Sequence, residues 1–212
     1  MANNELNESV LVVARQVIDE LCPQTFGRET EAVRRAVLAK GFFLDRNIAE
    51  HDFKHKQVIP YVVIRHEERY LLMRRTSKQT EKRLHDKFSL GVGGHINNFD
   101  TSDVGCDVIT SGMRRELNEE IHIESEESCE LVGIINDDST EVARVHMGLV
   151  FVLTTALPDY RIMEPDKYTA EWKTPEEMAE YKGRMESWAQ IVFDNVIQAG
   201  AGEKAGKGRV HA

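Results

Sequence analysis

The order of periodic segments predicts an α/β sandwich, a mixed sheet between helices, with an N-terminal elaboration ahead of it. Three observations carry this. Short apolar runs with strand-like alternation lie on both sides of one helical segment. That segment is acidic on one face, with Glu116, Glu119 and Glu120, and apolar on the other, with Ile109, Met113 and Leu117. A second helix, opened by Thr174-Pro175-Glu176-Glu177, closes the order: Thr as N-cap, Pro at the first helical position, acids in the first turn.

Along the chain, Val10-Leu11-Val12-Val13 reads as a strand and residues 15–21 as a helix. Residues 29–39 carry Ala32, Val33, Ala36 and Val37 at helical spacing and stop before Gly41. Phe42-Phe43-Leu44 reads as an apolar packing patch, and residues 1–56 as an elaboration packed on a catalytic domain spanning 57–198. Residues 57–65 form a buried strand with Pro60 near its start, where a missing N–H is tolerated. The turn at 66–69 leads into Tyr70 to Arg75 as a hairpin, and 76–87 is a polar loop. Phe88, Leu90 and Val92 alternate as one strand up to Gly93-Gly94. Residues 129–136 and 142–155 are strands around a turn at 136–139, and Val145, Met147, Leu149, Phe151 and Leu153 face a core. The final helix runs to about Gln198, and 199–212 has the composition of a disordered tail.

The net charge of −9 speaks against a general nucleic-acid binder, which draws its affinity from a basic face. A small phosphate-bearing substrate is compatible, because metal ions supply positive charge locally. The first residues lack a basic, apolar leader and no apolar run has the length of a membrane span, so a cytoplasmic location is expected. Cys22, Cys106 and Cys129 are too far apart for a zinc knuckle and too few for a disulfide framework. His51 and His55 stand four apart without a third ligand, which does not make a zinc site.

The chemistry lies in Arg115-Glu116-Leu117-Asn118-Glu119-Glu120. On a helix, positions 116, 119 and 120 stack three carboxylates on one face. Glu119 and Glu120 also fall in the last turn, where the macrodipole disfavours each by about 0.3–1 kcal/mol. A structural helix gains nothing from this, whereas a hard divalent cation reverses the sign of every term.

With Gly94, Asp107 and Ile123, the segment resembles the Nudix (MutT-type) signature. It departs from that pattern in a longer spacer, read as an inserted surface loop at 96–103 bordering the substrate cleft, and in His122 at the place of the closing glycine. The resemblance implies an α/β/α sandwich and hydrolysis of a P–O–P bond in a nucleoside diphosphate-linked or related small molecule by metal-activated water. It implies Mg²⁺, with Mn²⁺ as a substitute, on Glu116, Glu119 and Glu120, with the Gly94 carbonyl as a further ligand. Which glutamate acts as base stays open. Arg115 is expected to hold Glu119 in place. An acidic residue before the last helix commonly joins such sites, and Asp166 is preferred over Glu164 and Glu171. Of Arg74 and Arg75 the strand sends one inward to bind phosphate, and His95 stands beside Gly94 as a further substrate-binding candidate. A homodimer is compatible with the resemblance. The alternatives are a ligand-sensing Nudix module without turnover, and a diphosphate isomerase, for which the expected cysteine segment is missing.

Overall fold

The structure is a computed structural model, and it describes residues 8–76, 87–102 and 105–200. In chain order its elements are β1 (Ser9–Ala14), α1 (Arg15–Leu21), β2 (Phe26–Gly27), α2 (Thr30–Lys40), β3 (Phe42–Asp45), α3 (Arg46–Ala49), β4 (His55–His66) and β5 (Arg69–Arg75). There follow β6 (Phe88–Ser89), β7 (Gly91–Gly93), α4 (Val108–Glu120), β8 (Ile121–His122), β9 (Glu126–Ile135), α5 (Glu141–Arg144) and β10 (His146–Thr155). The chain closes with β11 (Arg161–Ile162), β12 (Tyr168–Lys173), α6 (Pro175–Ala179) and α7 (Ser187–Val192), which continues as a π-helical turn over Phe193–Ile197. Together they make an α/β fold with a large mixed sheet and several helices.

Two compact units interleave in sequence: Met1–Tyr61, Gly93–Glu116 and Gly133–Val150 form the first, and Val62–Val92, Leu117–Val132 and Phe151–Ala212 the second. In the first unit β1 is the organising strand. Its residues Val10 to Val13 are all buried, and it pairs antiparallel with β3 (Val12 opposite Phe42) and with β4 (Val12 opposite Gln57). Phe42-Phe43-Leu44 is therefore a short strand rather than a mere patch. Four residues are too few to show a period.

Pro60 lies mid-strand, because β4 begins at His55 rather than at residue 57. Its carbonyl explains Gly93: a Cβ there would stand 2.4 Å from Pro60 O, a backbone atom that cannot swing aside. Gly93→Ala should cost about 1–3 kcal/mol of stability by overpacking. Urea unfolding of that variant, with the slope unchanged and the midpoint lowered, is the expected result.

In the second unit the β4–β5 hairpin turns at Glu67, whose φ of 51° is left-handed as a tight hairpin requires. β5 pairs from Tyr70 to Arg75 with β12, Tyr168 opposite Arg75 and Lys173 opposite Tyr70. β12 is not among the strands that the sequence predicts. Its Tyr168-x-Ala170-x-Trp172 alternation was the available signal, masked by the intervening Thr, Glu and Lys.

Three further expectations change. Residues 88–92 are two short strands broken at Leu90, where Ser89 Oγ donates to Gly91 O at 2.9 Å. The strand expected from residue 142 starts at His146, because Thr140 caps a helical turn by accepting from Ala143 N at 3.0 Å. The final helix opens as expected, with Thr174 and Glu177 forming a reciprocal capping box, but stops at Ala179. Met185 is extended and buried, and Glu186 N donates to Phe88 O at 2.9 Å, so strand-like pairing interrupts the helix before α7 resumes. The polar loop over 77–86 and the tail over 201–212 lie outside the described residues, while Ala199 and Gly200 are still helical.

Candidate active site

Helix α4 is built as the sequence predicts. Ile109, Met113 and Leu117 are buried at four-residue intervals, and the opposite face carries the glutamates. Its N-terminus is capped by Asp107, whose Oδ1 accepts from Thr110 N at 3.0 Å and whose other oxygen pairs with Arg34. Asp107 thus acts on the helix as a cap. At the other end the chain passes from Glu120 directly into β8, which pairs with β11. No left-handed residue is needed there, and among the described non-glycine residues only Glu67 has positive φ. His122 therefore sits where glycine is dispensable.

The inserted segment is a surface loop only in part: Asn98 and Phe99 are exposed, and residue 103 lies outside the described residues. Ile96 is fully buried, Asn97 bridges Val10, and a 3₁₀ turn covers Asn98–Ser102. It packs on the catalytic helix at Gly112, where a Cβ would come within 2.9 Å of Ile96 Cγ1 and 3.0 Å of Asp100 Oδ2. A helical glycine costs roughly 1 kcal/mol, offset here by close approach. Asp100, 3% exposed in its side chain, accepts from Asn97 N at 2.7 Å and from Arg115 Nε and Nη2 at 2.8 and 3.0 Å. Asp100 braces Arg115, which in turn donates to Glu116, and the sequence does not single it out. A lone Asp fifteen residues before an Arg has no local period to reveal it.

Arg115 also donates to Glu116 Oε1 at 2.7 Å and to the His95 carbonyl at 2.8 Å. These contacts tie the guanidinium to Asp100, Glu116 and the His95 carbonyl, partners that the helical spacing to Glu119 does not announce. The Asp100 hydrogen bond, outweighing burial, raises the Arg115 pKa. Against this cluster lies Gly94: a Cβ on it would stand 2.1 Å from Glu116 Oε2. The glycine therefore opens a cradle that the Glu116 carboxylate, 16% exposed, fills.

Glu119 is exposed and Glu120 half-buried. Glu120 Oε1 accepts from Tyr168 OH at 3.3 Å, and its main-chain oxygen accepts from Met163 N at 2.9 Å. Arg75 is the inward-facing member of its pair. It donates to Tyr168 OH at 3.0 Å and forms an ion pair with Glu186. Arg74 is exposed on the opposite face of β5, lining a cleft of about 390 Å³ with Phe88, Tyr181 and Arg184. Asp166 is exposed in the turn before β12, with its carbonyl accepting from Thr76 Oγ1. Glu164 pairs with Lys167, and Glu171, inside β12, pairs with Lys173.

The His95 ring meets a second imidazole. His146 Nδ1 donates to Val142 O at 2.7 Å, leaving its Nε2 to accept from His95 Nε2 at 3.4 Å. Burial, with the charges of Arg46, His146 and Arg115, holds the His95 pKa down at about 3. The native state keeps this ring neutral while the unfolded chain protonates it near pH 6.5, so its stabilisation is complete above that pH and is lost as pH falls towards 3. Between pH 6.5 and 5 the loss should be about 2 kcal/mol, and His95→Asn should flatten the urea midpoint against pH over this window.

Among the described residues, no group of three or more His, Cys, Asp or Glu side chains is gathered as a metal cluster. Three like-charged carboxylates on one helix face repel one another until a cation joins them. The three carboxylates nonetheless suit a hard divalent ion: each would offer oxygen, from one helix, beside a glycine that leaves room for Glu116. No helix among the described residues is long and apolar enough to cross a membrane.

An acid-faced helix that follows a glycine turn, within an α/β fold, is the arrangement that the sequence resemblance implies. By its relatives the chain belongs to the Nudix hydrolase family. It is similar to Protein YmaB of Bacillus subtilis (strain 168), with 36% identity over 154 residues covering 70% of this chain and 75% of YmaB. It is also similar to the crystal structure of Tm1382, a proposed Nudix hydrolase, at 32% identity and TM-score 0.78 over 91% of this chain and 100% of that one. No protein-family model matches the sequence. The chain is a Nudix-type hydrolase, a fold that implies pyrophosphate hydrolysis in general and a general need for divalent metal.

Proposed function

We propose that this chain is a Mg²⁺-dependent pyrophosphohydrolase acting on a nucleoside diphosphate-linked or related small molecule, with residues 57–198 as its catalytic portion and 1–56 as an elaboration. The observation that carries the reading is the Glu116 carboxylate lying in the space left by Gly94, on a helix that also presents Glu119 and Glu120. These three glutamates would hold the ion, with the Gly94 carbonyl and Asp166 as further oxygen donors. Bound there, a divalent ion supplies positive charge to the pyrophosphate oxygens and activates water.

The chain's own residues do the rest. Arg115, anchored by Asp100 and the His95 carbonyl, keeps Glu116 in one orientation. His95 enters through its backbone, while its ring is engaged with His146. Glu119, the most exposed of the three, is best placed to exchange protons with solvent, and no single base is assigned.

The test is a panel of pyrophosphate compounds incubated with Mg²⁺ or Mn²⁺ and read by phosphatase-coupled phosphate release. At least one should be hydrolysed, simple monoesters poorly, and EDTA should abolish turnover. Divalent binding without turnover across the panel would favour a sensing module instead.

A further inference from the structure

We propose that Tyr168 is a positioning residue for Glu120, oriented in turn by the Arg75–Glu186 pair. The inference rests on Glu120 being a metal ligand, as proposed above, and adds which residues prepare it. Tyr168 is buried, 7% exposed, and its hydroxyl stands between two charged groups. Arg75 Nη1 donates to it at 3.0 Å, with the guanidinium carbon 5.3 Å from the centre of the tyrosine ring, and Arg75 Nε pairs with Glu186. A guanidinium has only donors, so the phenol oxygen must accept from it and the phenol hydrogen is directed away from it. It points to Glu120 Oε1 at 3.3 Å, longer than the usual ~2.7–2.8 Å. Donation from a cation makes that hydroxyl the better donor.

The direction matters for ligation. Tyr168 engages Oε1 of Glu120 and so limits the directions in which that carboxylate can turn towards a cation. Because Met163 N holds the main-chain carbonyl of the same residue, Glu120 is fixed from both ends at the helix terminus. Cross-strand register supports the same division of labour. Arg75 lies opposite Tyr168 on the Glu120 side of the sheet, while Arg74 lies opposite Thr169 on the other side. Arg75 therefore serves the carboxylate rather than the substrate phosphate.

The experiment uses the full chain, with Mg²⁺ titrated calorimetrically into wild type, Tyr168→Phe, Glu186→Gln, Glu120→Gln and the Glu120→Gln/Tyr168→Phe double variant. Tyrosine near-ultraviolet difference spectra are recorded alongside. Tyr168→Phe should weaken Mg²⁺ about 10–100-fold. It should also remove the Mg²⁺-induced tyrosine difference signal, and Glu186→Gln should weaken binding in the same direction. Once Glu120 is Gln, adding Tyr168→Phe should change Mg²⁺ affinity no further. Wild-type affinity in both Tyr168→Phe and Glu186→Gln, or full additivity in the double variant, overturns the proposal. Should Tyr168→Phe fail to fold, an unchanged affinity in Glu186→Gln overturns it alone. A wild-type chain that binds no divalent ion would instead sink the metal reading on which the proposal rests.

Discussion

Gly94→Ala should abolish most activity while leaving the fold intact. The added Cβ would lie 2.1–2.6 Å from the three carboxylate atoms of Glu116, a contact no structure sustains. What gives way decides the outcome. At Gly93 the obstacle is the backbone oxygen of Pro60, so the expected cost appears in stability. At Gly94 it is the far end of a flexible side chain, so Glu116 swings out of its cradle at little cost to folding and the Arg115–Glu116 contact is lost with it. We expect Tm to change by no more than a few degrees, and kcat/KM to fall by at least about 100-fold, in line with the loss of a positioned electrostatic group. Wild-type turnover by Gly94→Ala would show that the position of Glu116 seen here is irrelevant to the reaction.

Replacing the carboxylates themselves should have the largest effect of all. Glu116→Gln keeps the shape, and its amide oxygen can still accept from Arg115. It removes the negative charge that would hold a divalent ion, and with the ion would go the positive charge that offsets the negative charge growing on the substrate in the transition state. Turnover should fall by roughly 10³-fold or more with a smaller change in KM, because the lost interaction strengthens towards the transition state. Glu120→Gln should lower Mg²⁺ affinity as well, since the carboxylate is a far better ligand for a hard cation than an amide. Steady-state kinetics and Mg²⁺ calorimetry on both variants check this. Undiminished kcat in Glu116→Gln would defeat the proposed mechanism, and unchanged divalent binding in both would defeat the metal assignment.

Local pattern in the chain was enough to place helix α4, its apolar stripe and its three glutamates, the Thr174 capping box, and the β4–β5 hairpin. Each depends on side chains within four residues of one another, where period, capping and turn chemistry act directly. The Nudix likeness followed from the same short-range spacing, and the relatives bear it out. Long-range packing determined the remainder. Residues 96–102 look like a polar insertion until Ile96 and Asp100 are seen against Gly112, which lets the segment buttress the helix. Arg115 has Glu119 as its helical neighbour, and nothing in that spacing announces Asp100, which presents the guanidinium with two oxygens of a nearly buried carboxylate. β12 and the link from Glu186 through Arg75 and Tyr168 to Glu120 join residues as far as 111 positions apart. Such contacts leave no period in a single sequence, because they are chosen by which strands pair and which side chains that pairing brings face to face.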